Sequence, residues 1–168
     1  MKINDTNGAE KGGWTVRGPV SAGEWDRLWD LRWRVLRAPW GQPRGSERDA
    51  LDDVAVQRIA VAAGGRVVGV GRLQLNSAEE GQVRYMAVEE SMRSRGIGGA
   101  LLEALEAEAR RLGVRRIVLE ARQEAVPFYL RHGYRVVAAG KTLFGSVAHA
   151  VMAKDLGTGA ENESPRPA

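Results

Sequence analysis

The chain has no cysteine and only two histidines, His132 and His149, among its 168 residues. Without cysteine there is no disulfide and no thiol nucleophile. Two histidines without thiolates are too few for a structural zinc site, so no metal is expected. No apolar run approaches the ~20 residues that cross a bilayer, and no signal-peptide pattern opens the chain. A cytoplasmic protein with no membrane partner is therefore expected. The chain also lacks a dominant charge sign: 25 basic and 21 acidic residues, well interspersed, leave a formal net charge of +4. That balance argues against a dedicated nucleic-acid partner. Arg110, Arg111, Arg115 and Arg116 form the one local basic patch, and they lie beside Glu103, Glu106 and Glu108.

What is present is ordinary globular composition, 43% apolar and 27% charged, at a length that fits one domain. Residues 1–13 and 157–168 are polar and rich in Gly, Asn, Glu, Ser and Pro, so flexible ends are expected around a single domain at 14–156. Alternation and turn residues predict strands at 14–20, 54–62, 66–75, 82–89, 115–121, 134–139 and 147–154. Gly64-Gly65 reads as a hairpin turn. Helical periodicity predicts a helix from Ser21, capped with Glu24, to about Arg37, and further helices at 97–112 and 123–131. In the second of these, Ile97, Leu101, Leu105 and Leu112 mark the buried stripe, while Glu106 and Arg110 pair on the wet face; Gly113 ends it. Residues 40–53 read as a loop with a helical turn near 47–51. The order β-α-β-β-β-α-β-α-β-β is mixed α/β around a central βαβ unit.

One turn carries chemistry. Residues 93–98 read R-S-R-G-I-G, between a strand and the start of a strongly amphipathic helix. The first N–H groups of a helix lack intrahelical partners, and the helix dipole adds about half a positive charge there. Gly96 and Gly98 clear the backbone for a phosphate, and Arg93 and Arg95 add fixed charge. The glycines are followed by Gly99-Ala100-Leu101 with no Gly-Lys-Ser/Thr, which excludes a nucleoside-triphosphate loop. The third glycine of a dinucleotide fingerprint is missing too. A tight connection with solvated arginines is the bland reading of the same residues.

The element order, the turn at 93–98 and the box Ala125, Phe128-Tyr129, Gly133-Tyr134 together resemble the GNAT superfamily of acetyl-coenzyme A-dependent N-acetyltransferases. The stretch Leu119-Glu120-Ala121-Arg122, the box and a late His149 look like the small ElaA/YjcF-like branch. Here Glu120 and Arg122 stand where that branch has His and Gln. The resemblance implies an α/β GNAT fold: a mixed, mostly antiparallel sheet of six to seven strands, a βαβ acetyl-CoA-binding core and about four helices. It implies acetyl-CoA as cosubstrate, with the pyrophosphate on the turn (Arg93, Ser94, Arg95, Gly96, Ile97, Gly98, Gly99) and the pantetheine arm beside Met86, Ala87 and Val88. The Val88 N–H then faces the thioester oxygen.

Tyr129 matches the family's general acid, near the coenzyme sulfur; a core tyrosine is the alternative. For the base, Glu120 is the leading candidate, either as proton acceptor or as ion-pair partner of Arg72 or Arg84. Glu89 and His149 are weaker. The acidic run Glu47, Asp49, Asp52, Asp53 reads as a solvated loop or as an attractor for a cationic amine. The reaction implied is acetyl transfer to a primary amine of a small molecule or protein by direct attack in a ternary complex. The partners are acetyl-CoA and the amine acceptor, and a homodimer is compatible with them. The alternative is a non-catalytic coenzyme A sensor or interaction module.

Overall fold

A computed structural model describes residues 13–157. The ends expected to be flexible lie, apart from Gly13 and Gly157, outside the described residues. The elements follow in the expected order: β1 (Trp14–Arg17), α1 (Ala22–Leu36), β2 (Val56–Ala62), β3 (Val67–Leu75), β4 (Glu80–Val88), α2 (Ile97–Arg111), β5 (Arg116–Arg122), α3 (Val126–Arg131), β6 (Arg135–Leu143) and β7 (Val147–Asp155). The strands form a seven-stranded sheet in the order β1-β2-β3-β4-β5-β7-β6. β4 and β5 pair in parallel through Glu80–Gln82 and Arg116–Val118, with α2 as their connection, which is the βαβ unit. β1/β2, β5/β7 and β6/β7 are antiparallel. The described residues hold three α-helices; in the loop at 40–53, where a helical turn near 47–51 was expected, 3-10 turns lie at Ala38–Trp40 and Ala50–Asp53.

The chain groups into two compact units. One comprises residues up to Arg72 with Tyr85–Ala104. Here α1 starts as the capping pattern requires: the Ser21 hydroxyl accepts from the Glu24 N–H at 3.2 Å. The Glu24 carboxylate, however, turns to the Val20 N–H (2.9 Å) and to Arg17 (2.6 and 2.8 Å). Leu28 and Leu31 on α1 pack with Ile59, Val67, Val70 and Ala87. Trp14, Ala60 and Val68 pack instead with Ile97 and Leu101 of α2. Adjacent residues thus serve opposite faces, as strand geometry demands. Gly69 lets α2 lie close to β3: a Cβ there would fall 2.7 Å from Ile97 Cγ2 and 2.9 Å from Leu101 Cδ1. In β4, Tyr85 takes a left-handed φ of 56°, which breaks the strand's alternation.

The other unit comprises Leu73–Arg84 and the chain from Leu105. Ile117, Leu119 and Ala121 alternate into its core, joined by Met152, the register partner of Leu119. α2 ends on Gly113 (φ 83°), with the Val114 N–H bonded to Ala109 O at 2.9 Å and the Gly113 N–H to Arg110 O at 3.1 Å. This is the glycine cap expected from the sequence. The expected Glu106–Arg110 surface pair does not form: Glu106 is buried and receives both hydrogen bonds of Lys154 (2.9 and 3.0 Å). Spacing on one helix could not show that β7 supplies a lysine at this position, and a buried carboxylate takes the partner that desolvates with it.

Candidate active site

β4 ends at Val88, and the chain turns through a 3-10 turn (Glu90–Met92) and Arg93–Gly96 into α2. Two residues of that turn are left-handed, Ser94 at φ 62° and Gly96 at φ 85°. For serine this conformation costs of order 1–3 kcal/mol. Arg93, Ser94, Arg95 and Gly96 are all exposed, while the Ile97 side chain is buried and pins the helix start. No atom lies within 4 Å of where a Gly96 Cβ would stand. The first intrahelical bond recorded across this turn runs from the Ala100 N–H to Gly96 O (3.0 Å). The helix itself therefore offers no acceptor to the Ile97, Gly98 and Gly99 N–H groups. An open surface, backbone donors, a dipole end and two arginines suit a pyrophosphate.

Upstream, the side chains of Met86 and Val88 pack in the cluster with Ile97 and Leu101, and Ala87 packs on the α1 side. These side chains build the core, so any role toward a ligand falls to their backbone. Arg93 Nε reaches back to Val88 O at 3.4 Å. Glu89, expected as a weak base, is clasped by Arg34 at 2.9 and 3.0 Å, and that hydrogen bond holds its carboxyl below the usual range. A carboxylate held ionised in this way is a poor proton acceptor.

In the acidic run Asp53 is exposed, as a solvated loop requires, but Glu47, Asp49 and Asp52 are tied into the fold. Glu47 and Asp52 are buried, as are Arg32, Arg72 and Gln57. Asp52 Oδ1 accepts from Arg32 (2.9 Å), Arg72 (2.8 Å) and Gln57 (3.1 Å), and its Oδ2 accepts from the Asp49 N–H (2.8 Å). Arg72 also forks onto Asp49 at 2.6 and 2.9 Å, and the Tyr85 hydroxyl donates to Asp49 at 3.2 Å. The Arg32 and Arg72 guanidinium carbons lie 4.2 and 4.7 Å from the Tyr85 ring centre. Arg72 is thus engaged by Asp49 and Asp52, not by Glu120. The hydrogen bond from Arg72 holds Asp49 at about 2. Burial pushes Asp52 up, but its hydrogen bonds prevail and its carboxyl stays below the ordinary value. A legible signal existed: Arg32 lies one turn after Leu28 in the apolar stripe, and Arg72 lies inside an apolar strand.

In the second unit, the Phe-Tyr box builds a helix end. The Tyr134 N–H bonds to Tyr129 O (3.0 Å) and the Gly133 N–H to Leu130 O (3.2 Å), with Gly133 at φ 87°. The rings of Tyr129 and Tyr134 meet edge to face at 5.7 Å, which completes the hydrophobic contact of a Schellman cap. Tyr134 is core, and its buried hydroxyl has no hydrogen-bond partner among the described residues. Tyr129 is 7% exposed, and burial raises its hydroxyl pKa, so it stays protonated. Its ring is held by the cap and by Phe128 at 5.0 Å. Glu120, expected within an apolar strand, is exposed on β5, opposite Val151 of β7.

The model of the Acetyltransferase (GNAT) family matches residues 25–134. An uncharacterized N-acetyltransferase of Bacillus subtilis, YjcF, is 36% identical over 113 residues, 67% of this chain and 79% of its own length. Among solved structures, the fold matches a putative N-acetyltransferase from Lactobacillus plantarum with a TM-score of 0.74 at 22% identity, covering 86% of this chain and 99% of that one. It also matches a GNAT family acetyltransferase from Elizabethkingia anophelis, solved with acetyl-CoA bound, with a TM-score of 0.65 at 16% identity over 87% and 100% of the two chains. The turn into α2, the capped Phe-Tyr helix and the strand order lie within this matched fold, and the chain belongs to the GNAT acetyltransferase family.

Proposed function

We propose that the protein transfers the acetyl group of acetyl-CoA to a primary amine by direct attack in a ternary complex. The observation that carries this reading is the open, arginine-flanked start of α2. We assign the pyrophosphate to the backbone of Arg95–Gly99 with Arg93 and Ser94 beside it, and the pantetheine arm to the backbone of Met86, Ala87 and Val88. A Val88 N–H aimed at the thioester oxygen is the kind of donor that contributes ~2.7–4 kcal/mol as negative charge develops there. Tyr129 protonates the departing thiolate: its phenol is held neutral by burial, and its ring is fixed by the helix cap. Glu120 is the carboxylate that meets the ammonium group of the acceptor.

Release of free thiol from acetyl-CoA tests the reading. With spermidine, kanamycin, glutamate and a lysine-containing peptide as probes, turnover of at least one amine is expected, with the acetylated amine identified by mass. Tight binding of coenzyme A with no thiol release from any probe would instead identify a sensor built on the same fold.

A further inference from the structure

β6 carries a bulge that exists around one side chain. In the register with β7, Ala139 faces Ala150 and Thr142 faces Ala148, so Gly140 and Lys141 together oppose His149 alone. A Cβ on Gly140 would fall 2.9 Å from the backbone C and O and the Cβ of His149, so the bulge can close over this residue only with glycine. The bulge brings Lys141 O to 3.2 Å from His149 Nδ1, and Val147 O lies 2.9 Å from the same nitrogen. Both oxygens only accept, so Nδ1 carries the ring's hydrogen in the neutral form and Nε2 carries a lone pair. Bulges of this kind re-aim side chains next to functional sites.

His149 also occupies a telling place on the sheet. It is the register partner of Arg122, the last residue of β5, from which the chain runs through one 3-10 turn into α3 and Tyr129. Ligands in sheets with parallel crossovers bind beyond the carboxyl ends of the strands, and this is such an end. Registered partners share a face, and so do residues two apart. Glu120, Arg122, His149 and Val151 therefore lie on one face, with Glu120 diagonal to His149 and within side-chain reach. The charged residues that flank His149 in the sheet register are Arg122 and Glu120 on β5 and Lys141 on the bulge. The other histidine differs: His132 closes α3, with Nδ1 on Phe128 O at 2.8 Å and its ring on Phe128 at 4.5 Å.

We infer that His149 Nε2 is the general base of the reaction, taking a proton from the acceptor ammonium, while Glu120 acts through its charge. This rests on the N-acetyltransferase reading. One ammonium proton moves to Nε2 and on to solvent, and the freed amine forms the C–N bond. As the C–S bond breaks, the thiolate takes the Tyr129 proton. The proton still on the new C–N nitrogen then returns to the phenolate.

The experiment compares wild type, His149→Asn and Glu120→Gln in thiol release from acetyl-CoA with two probes: butylamine, protonated at neutral pH, and methoxyamine, which is neutral there. Asparagine keeps a donor for the two carbonyls and removes the lone pair. For His149→Asn, kcat/KM with butylamine is expected to fall ~10²–10⁴-fold. The acid limb of the pH–rate profile should vanish, and methoxyamine turnover should stay near wild type. Glu120→Gln should raise the KM for butylamine and keep the acid limb. A wild-type profile in His149→Asn, or an acid limb lost only in Glu120→Gln, overturns the assignment. Nitrogen NMR of the wild-type imidazole gives a check that needs no variant: the neutral ring is expected to carry its hydrogen on Nδ1, and a neutral ring with it on Nε2 overturns the assignment. Wild type that releases no thiol with any amine would instead defeat the enzyme reading itself.

Discussion

Asp52 shows what one carboxylate does when two arginines are buried around it. Arg32 and Arg72 are fully buried, and both donate to the same Asp52 oxygen. Removing that oxygen strands two charges, so Asp52→Ala is expected to cost about 3–5 kcal/mol. Urea unfolding with an unchanged slope reads this directly; a loss below about 1 kcal/mol would mark the pair as no stronger than an exposed one. Tyr129 makes the opposite case, a residue whose ring is structural and whose hydroxyl we propose to be the general acid. Tyr129→Phe keeps the ring contacts, so the melting temperature and coenzyme A affinity should hold while kcat falls ~10²-fold. A variant that melts lower and turns over normally would make the tyrosine purely structural. The sequence showed Tyr129 through its box but misread the acidic run, because Arg32 and Arg72 lie 20 residues from Asp52 in opposite directions along the chain. Only the fold brings them together.

At the scale of elements, periodicity together with turn and capping residues located every helix and strand among the described residues. It could not locate the bulges. Whether Gly140 and Lys141 share one partner is decided by β7, and the left-handed Tyr85 is set among the arginines around its ring, not by its neighbours in sequence. The close seat of α2 was equally hidden in an unremarked strand glycine. Gly69→Ala puts a methyl 2.7 Å from the stiff Ile97 Cγ2. It should cost ~1–3 kcal/mol through overpacking and weaken coenzyme A binding by displacing the helix start. Equal affinity in calorimetry would show that the start of α2 does not hold the ligand. Gly98→Val tests the same end from outside: affinity should collapse with the fold intact, and Arg93→Ala should act more mildly because the backbone donors remain.

For the whole molecule, acid stability follows from the held carboxylates. Asp49, through its hydrogen bond from Arg72, and Glu24, through its hydrogen bond from Arg17, titrate at about 2 when folded, against ~4 in an unfolded chain. A lowered folded value stabilises above the unfolded one and is lost as pH falls through the folded one. Stability should therefore hold down to about pH 4 and decline between there and about pH 2. Asp49→Asn should make that decline shallower in a pH series of melting curves. The central claim, that the start of α2 and the end of β4 hold coenzyme A, is tested most directly by thermal unfolding with the ligand present. At a hundredfold excess over Kd, binding to the native state alone adds ~2.7 kcal/mol, or about 5–10 °C for a chain of this size. Coenzyme A and acetyl-CoA should both raise the midpoint by that order and adenosine hardly at all; an unmoved midpoint with both thioester and free coenzyme would contradict the account.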